Sequence, residues 1–277
     1  MIVDEVLSDQ LFKLFASYIQ TELGIKMPPA KKTMLSGRLL KRMRHLNIAT
    51  YKKYYEFVFS AEGRKSELGF LMDAVTTNKT DFYREKEHFR ILIEEVVPDL
   101  QKVYGNVLRF WSAPCSRGHE PYTMAMELAE YAMQHPPFDF WVLATDLSSG
   151  VLDIGGQGIY SEQEIQPVPL TMRRIYMRRG NVLGREVVKI IKPLRDRVSF
   201  HRMNFMDEHY GIRDKFHVVF CRNMLIYFEK DVQQAVIRKI ADQMHPGGYL
   251  FMGSSESLNG LDVPVKQLHG TLYQLEH

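Results

Sequence analysis

The sequence predicts an α/β protein, with a largely parallel sheet covered by helices on both faces, a small all-helical domain before it and an insertion within it. Residues 1–75 show apolar residues at helical spacing and no alternating strand pattern. From about residue 106, short apolar runs alternate with helical segments, which is typical of parallel sheets. Residues 161–196 interrupt this alternation, and we expect them to have a small structure of their own.

The first 75 residues predict a helical bundle. Ser8 and Asp9 can cap the first helix, whose apolar spacing continues to Gly24. The pair Pro28–Pro29 then interrupts the chain before a basic amphipathic segment. The predicted helices are residues 9–24, 30–47, 51–59 and 66–75.

The second region predicts strands that alternate with helices. The strand candidates are NVLRFWSA (106–113), FDFWVLATD (138–146), RVSFHRMN (197–204), FHVVFCRN (216–223) and GGYLFMGSSES (247–257). Helices are predicted at 121–133, after Ser148, and at 231–244. The last candidate, GTLYQL (270–275), is expected to add an edge strand to the sheet.

Composition argues against several classes of protein. No apolar run approaches the roughly 18 residues of a membrane-spanning helix, so we expect no membrane insertion. Cys115 and Cys221 are the only cysteines, which disfavours a disulfide framework and favours the cytoplasm. The net charge of +3 is too small to indicate nucleic-acid binding. The histidines lack metal-ligand spacing, so we expect no metal site.

Polar side chains follow the predicted parallel strands, at the edge where ligands bind in such sheets. These residues are Glu120, Asp146, Asn204, Arg222 and Asn223. The turn at 112–120 has a single glycine, whereas pyrophosphate binding uses several. A carboxylate that ends the second strand suits ribose hydroxyls. The pattern therefore favours a phosphate-free adenosyl ligand, S-adenosylmethionine; helix capping by Asp146 is the alternative.

Five segments carry a family resemblance. They are TTNKTDFYREKEHF, SAPCSRGHEPYTMAM, ATDLSSGVLDIGGQGIY, FCRNMLIYF and GGYLFMGSSESL. In this order they resemble CheR, the chemotaxis receptor glutamate O-methyltransferase family, over nearly the whole chain. The resemblance implies methylation of glutamates on the cytoplasmic helices of bacterial chemoreceptors, with S-adenosylhomocysteine as the second product. It also implies a cytoplasmic protein that is recruited to membrane-bound receptor arrays.

The resemblance also implies a domain organisation. A helical substrate-recognition domain occupies 1–75, and a linker at 76–90 contributes to the cofactor site. A Rossmann-like class I methyltransferase domain occupies 91–277 and contains a small β insertion. In some family members this insertion binds a pentapeptide at the receptor's C-terminus. The loop RRGNVLGREV looks shorter here, and we predict that no pentapeptide tether is bound.

Site residues follow from the matching motifs. The resemblance implies cofactor contacts at Asn78, Thr80, Arg84, Glu120, Asp146, Asn204, Phe205, Arg222 and Asn223. It places Arg84, Arg222 and Tyr227 near the transferred methyl group. Pro114, Arg117 and His119 stand where the family usually has glycine, threonine and glutamate.

The second predicted helix is basic along one face. Its cations include Lys31, Arg38, Lys41, Arg42 and Arg44. By itself such a face is often only solvated. The resemblance implies that it docks against the acidic methylation helices of the receptor.

The expected chemistry requires few catalytic groups. A glutamate side chain has a pKa of about 4.3, so the acceptor is already ionised at pH 7 and needs no general base. We therefore expect Arg84 or Arg222 to orient the acceptor, and we expect Cys115 to be a core residue. Two alternatives stay open: a methyltransferase with another substrate, and a silent S-adenosylmethionine-binding sensor or adaptor. A nucleotide-dependent oxidoreductase is disfavoured, because the turn lacks the phosphate-binding glycines.

Overall fold

The N-terminal region is a bundle of α-helices in this computed structural model, which describes residues 6–76 and 79–276. The helices are α1 (Asp9–Leu23), α2 (Lys32–His45), α3 (Tyr51–Val58), α4 (Ala61–Ser66) and α5 (Leu68–Val75). Ser8 caps α1 by accepting the N–H of Leu11, and Gly24 ends it in the left-handed conformation. The predicted helices are confirmed, except that a separate short helix, α4, precedes the last one. Six residues are too few for apolar periodicity to reveal it.

A seven-stranded sheet forms the second region of the described chain. The strands are β1 (Val107–Ser112), β2 (Asp139–Asp146), β6 (Val198–Arg202), β7 (Phe216–Cys221), β8 (Met244–Met252), β9 (Val265–His269) and β10 (Leu272–Leu275). Their spatial order is β6-β2-β1-β7-β8-β10-β9; the first five are parallel, and β10 is antiparallel to both of its neighbours, β8 and β9. The predicted α/β fold with a largely parallel sheet is confirmed.

The helices of this region lie on both faces of the sheet. They are α6 (Glu87–Ile91), α7 (Val97–Tyr104), α8 (His119–Gln134), α9 (Ser149–Gln157), α11 (Lys192–Arg195) and α12 (Lys230–Ala241). Phe110 and Trp111 are neighbours on β1, are fully buried, and belong to two different apolar cores. Because successive strand residues point to opposite faces, the sheet is buried on both sides here.

Three expectations about this region need correction. The strand predicted to start at residue 247 begins at Met244, and the preceding helix already ends at Ala241. GTLYQL does form a strand, β10, but it lies between β8 and β9 and is not at the edge. The edge strand β9 is mostly exposed, so it lacks the apolar alternation that would have predicted it. Helices α6 and α7 were also not predicted.

The predicted insertion contains a three-stranded antiparallel sheet in the order β3-β5-β4. Its elements are β3 (Ile159–Tyr160), α10 (Leu170–Tyr176), β4 (Met177–Val182) and β5 (Arg185–Ile190). The sheet begins two residues before the segment at 161–196 that the sequence suggested. Among residues 6–76 and 79–276, no helix combines the length and apolar character that crossing a bilayer requires.

Candidate active site

A cavity of about 330 Å³ lies at the carboxyl ends of the parallel strands, between the helical bundle and the sheet. Its size is within the range of small-molecule sites. The sequence-predicted site residues that line it are Thr80, Arg84, Glu120, Asp146, Asn204, Phe205, Arg222, Asn223 and Tyr227. Lys31 of the predicted docking set lines it as well, whereas Asn78 lies outside the described residues. Residues from separate strand ends therefore meet at one place.

Asp146 ends β2 and is buried. Its two carboxylate oxygens accept the N–H groups of Ser116 at 2.8 Å and Ser148 at 3.0 Å. Burial raises the pKa of this carboxyl, and the backbone hydrogen bonds oppose that rise. The two oxygens together have about four acceptor sites, so the carboxylate can still accept a hydrogen bond from a ligand hydroxyl. The N-cap of α9 is Ser148, which accepts the N–H of Val151, so capping does not account for Asp146.

Arg222 follows β7, is 5% exposed, and lies between two carboxylates. One terminal nitrogen donates to Glu120 at 2.9 Å, and the other lies 3.1 Å from Glu85. That second nitrogen also donates to the backbone carbonyl of Arg84 at 2.6 Å. Two carboxylates share one guanidinium, so the group has a net negative charge when both carboxylates are ionised. A ligand with cationic groups fits this charge balance.

The two carboxylates differ in protonation energetics. Burial raises the pKa of Glu120, although Arg222 and the Ser112 hydroxyl, which donates to it at 2.7 Å, both oppose this. Burial also raises the pKa of Glu85, but the charge of Arg222 and the hydrogen bond from Asn223 lower it more. The pKa of Glu85 therefore lies below the ordinary value. A bound cation would favour the ionised form of Glu120.

Glu85 is a site residue that sequence reasoning missed. Besides Arg222, it accepts from the side chain of Asn223 at 3.4 Å and from the backbone and hydroxyl of Ser254, at 3.2 and 3.1 Å. No spacing rule relates residue 85 to residue 222, which lie far apart in the chain. Its only sequence signal was its position next to Arg84, inside a motif that had already been quoted for the resemblance.

Besides the buried Arg222, the cations Lys31, Lys79 and Arg84 line the cavity. The exposed Arg84 side chain donates to the carbonyl of Lys79 at 3.1 Å. Lys31 donates to the carbonyl of Lys26 at 2.9 Å, and its ammonium nitrogen lies 5.4 Å from the ring centre of Tyr227. Burial, assisted by Arg38 and Lys26, lowers the pKa of Lys31. An ammonium has three donors, so Lys31 can still meet an anionic group.

Contacts between the bundle and the sheet close one side of the cavity. The Asn204 side chain donates to the carbonyl of Glu22 at 2.8 Å. The N–H of Lys26 donates to the carbonyl of Tyr227 at 2.8 Å, and its ammonium pairs with Glu229 at 3.1 Å. Residues expected to contact the cofactor thus also join the two regions.

Two of the unusual turn residues contact the insertion. Arg117 pairs with Glu164 at 2.8 Å, and His119 lies 3.7 Å from the same carboxylate. Burial lowers the pKa of His119 to about 4, so this imidazole is neutral at pH 7. Pro114 lines the cavity, whereas Arg117 and His119 are not among its lining residues. Their departures from the family pattern therefore leave the lining polar groups Glu120 and Asp146 in place.

The cations of the predicted docking helix are of two kinds: some bind groups inside the bundle, and others are exposed. Arg42 makes two hydrogen bonds of 2.7 Å to Glu67, which is 1% exposed. Arg38 donates to backbone carbonyls at the end of the bundle, at 3.0 Å each. Arg42 and Arg38 therefore have internal partners, whereas Lys41 and Arg44 are exposed; docking of a receptor through Lys31, Arg38, Lys41, Arg42 and Arg44 stays a prediction.

The cavity has few nucleophilic groups. Burial raises the pKa of the Cys115 thiol well above its ordinary value, so this cysteine remains protonated. Within 6–76 and 79–276, no cluster of three or more His, Cys, Asp or Glu side chains has the geometry for a metal ion. The carboxylates and amides of the cavity suit a ligand that carries hydroxyls and positive charge.

Two family models and several named proteins are similar to this chain over most of its length. The model "CheR methyltransferase, all-alpha domain" matches residues 10–76, and "CheR methyltransferase, SAM binding domain" matches residues 78–274. The chain is 33% identical to a chemotaxis protein methyltransferase of Borreliella burgdorferi, over 92% of this chain and 90% of that protein. It is 34% identical to chemotaxis protein methyltransferase 1 of Pseudomonas aeruginosa, over 90% and 91%. A chemotaxis protein methyltransferase of Salmonella typhimurium is 32% identical, over 97% and 91%.

Proposed function

The chain belongs to the CheR methyltransferase family, and we propose that it transfers the methyl group of S-adenosylmethionine to glutamate side chains of chemoreceptors, forming methyl esters. Its partners would be the cytoplasmic helices of receptors, to whose membrane-bound arrays it would be recruited. The observation that supports this function is the charge arrangement of the cavity. Its lining combines the largely buried carboxylates Asp146 and Glu120, of which Glu120 pairs with the buried Arg222, with the more accessible cations Arg84 and Lys31.

The inner part of the cavity would hold the methyl donor. Asp146 would accept hydrogen bonds from the ribose hydroxyls, and Glu120 would meet the ammonium of the methionyl end. Arg222 would hold Glu120 in place through their 2.9 Å contact, because its guanidinium already has protein partners. When bound, S-adenosylmethionine supplies a methyl group activated by a sulfonium sulfur.

The mouth of the cavity would receive the acceptor. A glutamate carboxylate is ionised at pH 7, so no residue of the chain has to remove a proton. Arg84, Lys31 and Tyr227 would orient the carboxylate, and proximity would supply much of the acceleration. Because the acceptor loses its charge during transfer, a tight ion pair with it would stabilise the starting state and slow the reaction. The exposed Arg84 suits this requirement, because an ion pair that is open to water is weak.

The outer face of α2 would dock the receptor. Lys41 and Arg44 project into solvent, and Lys31 connects this helix to the cavity. Such a basic surface complements the acidic helices around the methylation sites. It would bring the acceptor glutamate to the mouth of the cavity and increase the association rate more than the affinity.

The test is transfer of labelled methyl from S-adenosylmethionine to receptor-containing membranes. We expect label on the receptor that is released as methanol by mild alkali, because a methyl ester is base-labile. Asp146→Ala should abolish transfer while the protein stays folded. Alkali-stable label would indicate another acceptor group. Binding of S-adenosylhomocysteine without transfer to any receptor would indicate a silent sensor.

A further inference from the structure

The loop at 222–228 carries three of the predicted site residues that line the cavity, Arg222, Asn223 and Tyr227. It follows β7 and contains only a short 3-10 turn, Leu225–Tyr227. Asn223 has a φ of 59°, in the left-handed region that non-glycine residues seldom adopt. The backbone of this loop therefore needs partners from outside its own secondary structure.

One side chain supplies them. Glu256, 8% exposed, lies in the segment after β8 and accepts four backbone N–H groups. One carboxylate oxygen accepts from Asn223 at 2.7 Å and from Gly253 at 2.9 Å. The other accepts from Met224 at 2.8 Å and from Leu225 at 2.7 Å. Three consecutive residues of the loop are thus bound to one carboxylate.

We propose that Glu256 is a positioning residue for methyl transfer, which fixes the backbone of 222–228 and thereby the placement of Arg222, Asn223 and Tyr227. This inference rests on the proposed function. Only an ionised carboxylate suits the arrangement, because it has acceptor sites on both oxygens and no donor. A glutamine would turn its amide hydrogens toward two of the N–H groups and leave both without an acceptor.

The neighbouring glycine gives independent support. A Cβ atom added to Gly253 would lie 2.5 Å from the amide nitrogen of the Asn223 side chain. It would lie 2.7 Å from the carboxylate of Glu256 and 2.9 Å from the backbone nitrogen of Asn223. The exit of β8 therefore passes against the loop at a distance that only glycine permits. Glu256 fixes the loop from this side, while Glu85 binds the side chains of Arg222 and Asn223 from the other.

The experiment compares Glu256→Gln, Glu256→Asp and Gly253→Ala with a matched control. Glu208→Gln removes the same charge from an exposed site and should leave every measurement unchanged. We expect Glu256→Gln to lower kcat by about tenfold or more, at saturating S-adenosylmethionine and receptor and well below the melting temperature, since two buried N–H groups lose their acceptor. Glu256→Asp, which keeps the charge, should recover part of that loss. If Glu256→Gln does not fold, Glu256→Asp and Gly253→Ala decide the matter by the same measurement.

A folded Glu256→Gln protein with kcat within about twofold of the parent would overturn the inference, because a merely structural glutamate lowers stability and not kcat at saturation. If Glu256→Gln does not fold, an unchanged kcat in both Glu256→Asp and Gly253→Ala would likewise overturn the inference. If the parent transfers no methyl to receptors, the proposed function fails. The positioning role is then measured by calorimetry, as the loss of affinity for S-adenosylhomocysteine relative to Glu208→Gln.

Discussion

Removing Arg42 should destabilise the helical bundle, although the residue belongs to the face expected to dock receptors. Its side chain donates two hydrogen bonds of 2.7 Å to Glu67, and the guanidinium carbon lies 3.7 Å from the ring centre of Phe70. Arg42→Ala would leave a buried carboxylate with the Tyr54 hydroxyl, 2.8 Å away, as its remaining side-chain donor. Stranding one partner of a buried ion pair costs about 3–5 kcal/mol.

The expected cost is at or somewhat below the lower limit of that range, because the Arg42 side chain is 20% exposed and water can replace part of it. We predict a loss of about 2–3 kcal/mol in the free energy of unfolding, measured by urea denaturation followed by circular dichroism. Arg44→Ala removes the same charge from an exposed site of the same helix, and should change stability by less than about 0.5 kcal/mol. If Arg42→Ala is as stable as Arg44→Ala but has a raised KM for receptor, Arg42 docks the receptor and our interpretation is wrong.

Three further predictions concern the surface and the cavity. Lys41→Glu with Arg44→Glu should raise KM for receptor and leave the Kd for S-adenosylhomocysteine unchanged; a normal receptor KM would exclude docking through this face. Burial raises the pKa of Glu120, and only the ionised carboxylate attracts the ligand's ammonium. Calorimetry should therefore show that S-adenosylhomocysteine binds more weakly as the pH is lowered from about 7 to about 5. Glu120→Gln should reduce this dependence, and an unchanged pH profile would contradict the assignment. A peptide with the receptor's C-terminal sequence should give no binding heat, and micromolar binding would show that the insertion is a tether site.

The local sequence pattern predicted most of the helices and strands. It failed for elements whose formation depends on tertiary contacts. The run that became β7 is buried throughout, and those that became β1 and β2 are buried on both faces toward their C-terminal ends, so their apolar composition was informative. Strand β9 is mostly exposed and is held by its pairing with β10, which no local pattern encodes. The position of GTLYQL was mistaken for the same reason, since strand order is a property of the whole sheet.

The candidate site was predictable in part. The ends of parallel strands meet at one edge of the sheet, so Asp146, Asn204 and Arg222 were expected to lie together from the pattern alone. The family resemblance was needed for Thr80 and Arg84, which lie outside the strands. Partners in space were not predictable: spacing along α2 could not show that Arg42 faces Glu67 inside the bundle. Glu85 and Glu256 were missed because each binds a loop that lies more than thirty residues away in the sequence. The contact between Glu256 and Gly253, by contrast, is local.

The central claim is that the carboxylates at the strand ends hold a phosphate-free adenosyl donor. The most direct measurement is a crystal structure of the protein with S-adenosylhomocysteine. We predict the ribose hydroxyls at Asp146 and the amino end of the ligand at Glu120, within the cavity of about 330 Å³. A ligand bound elsewhere, or an empty cavity at saturating ligand, would contradict the account.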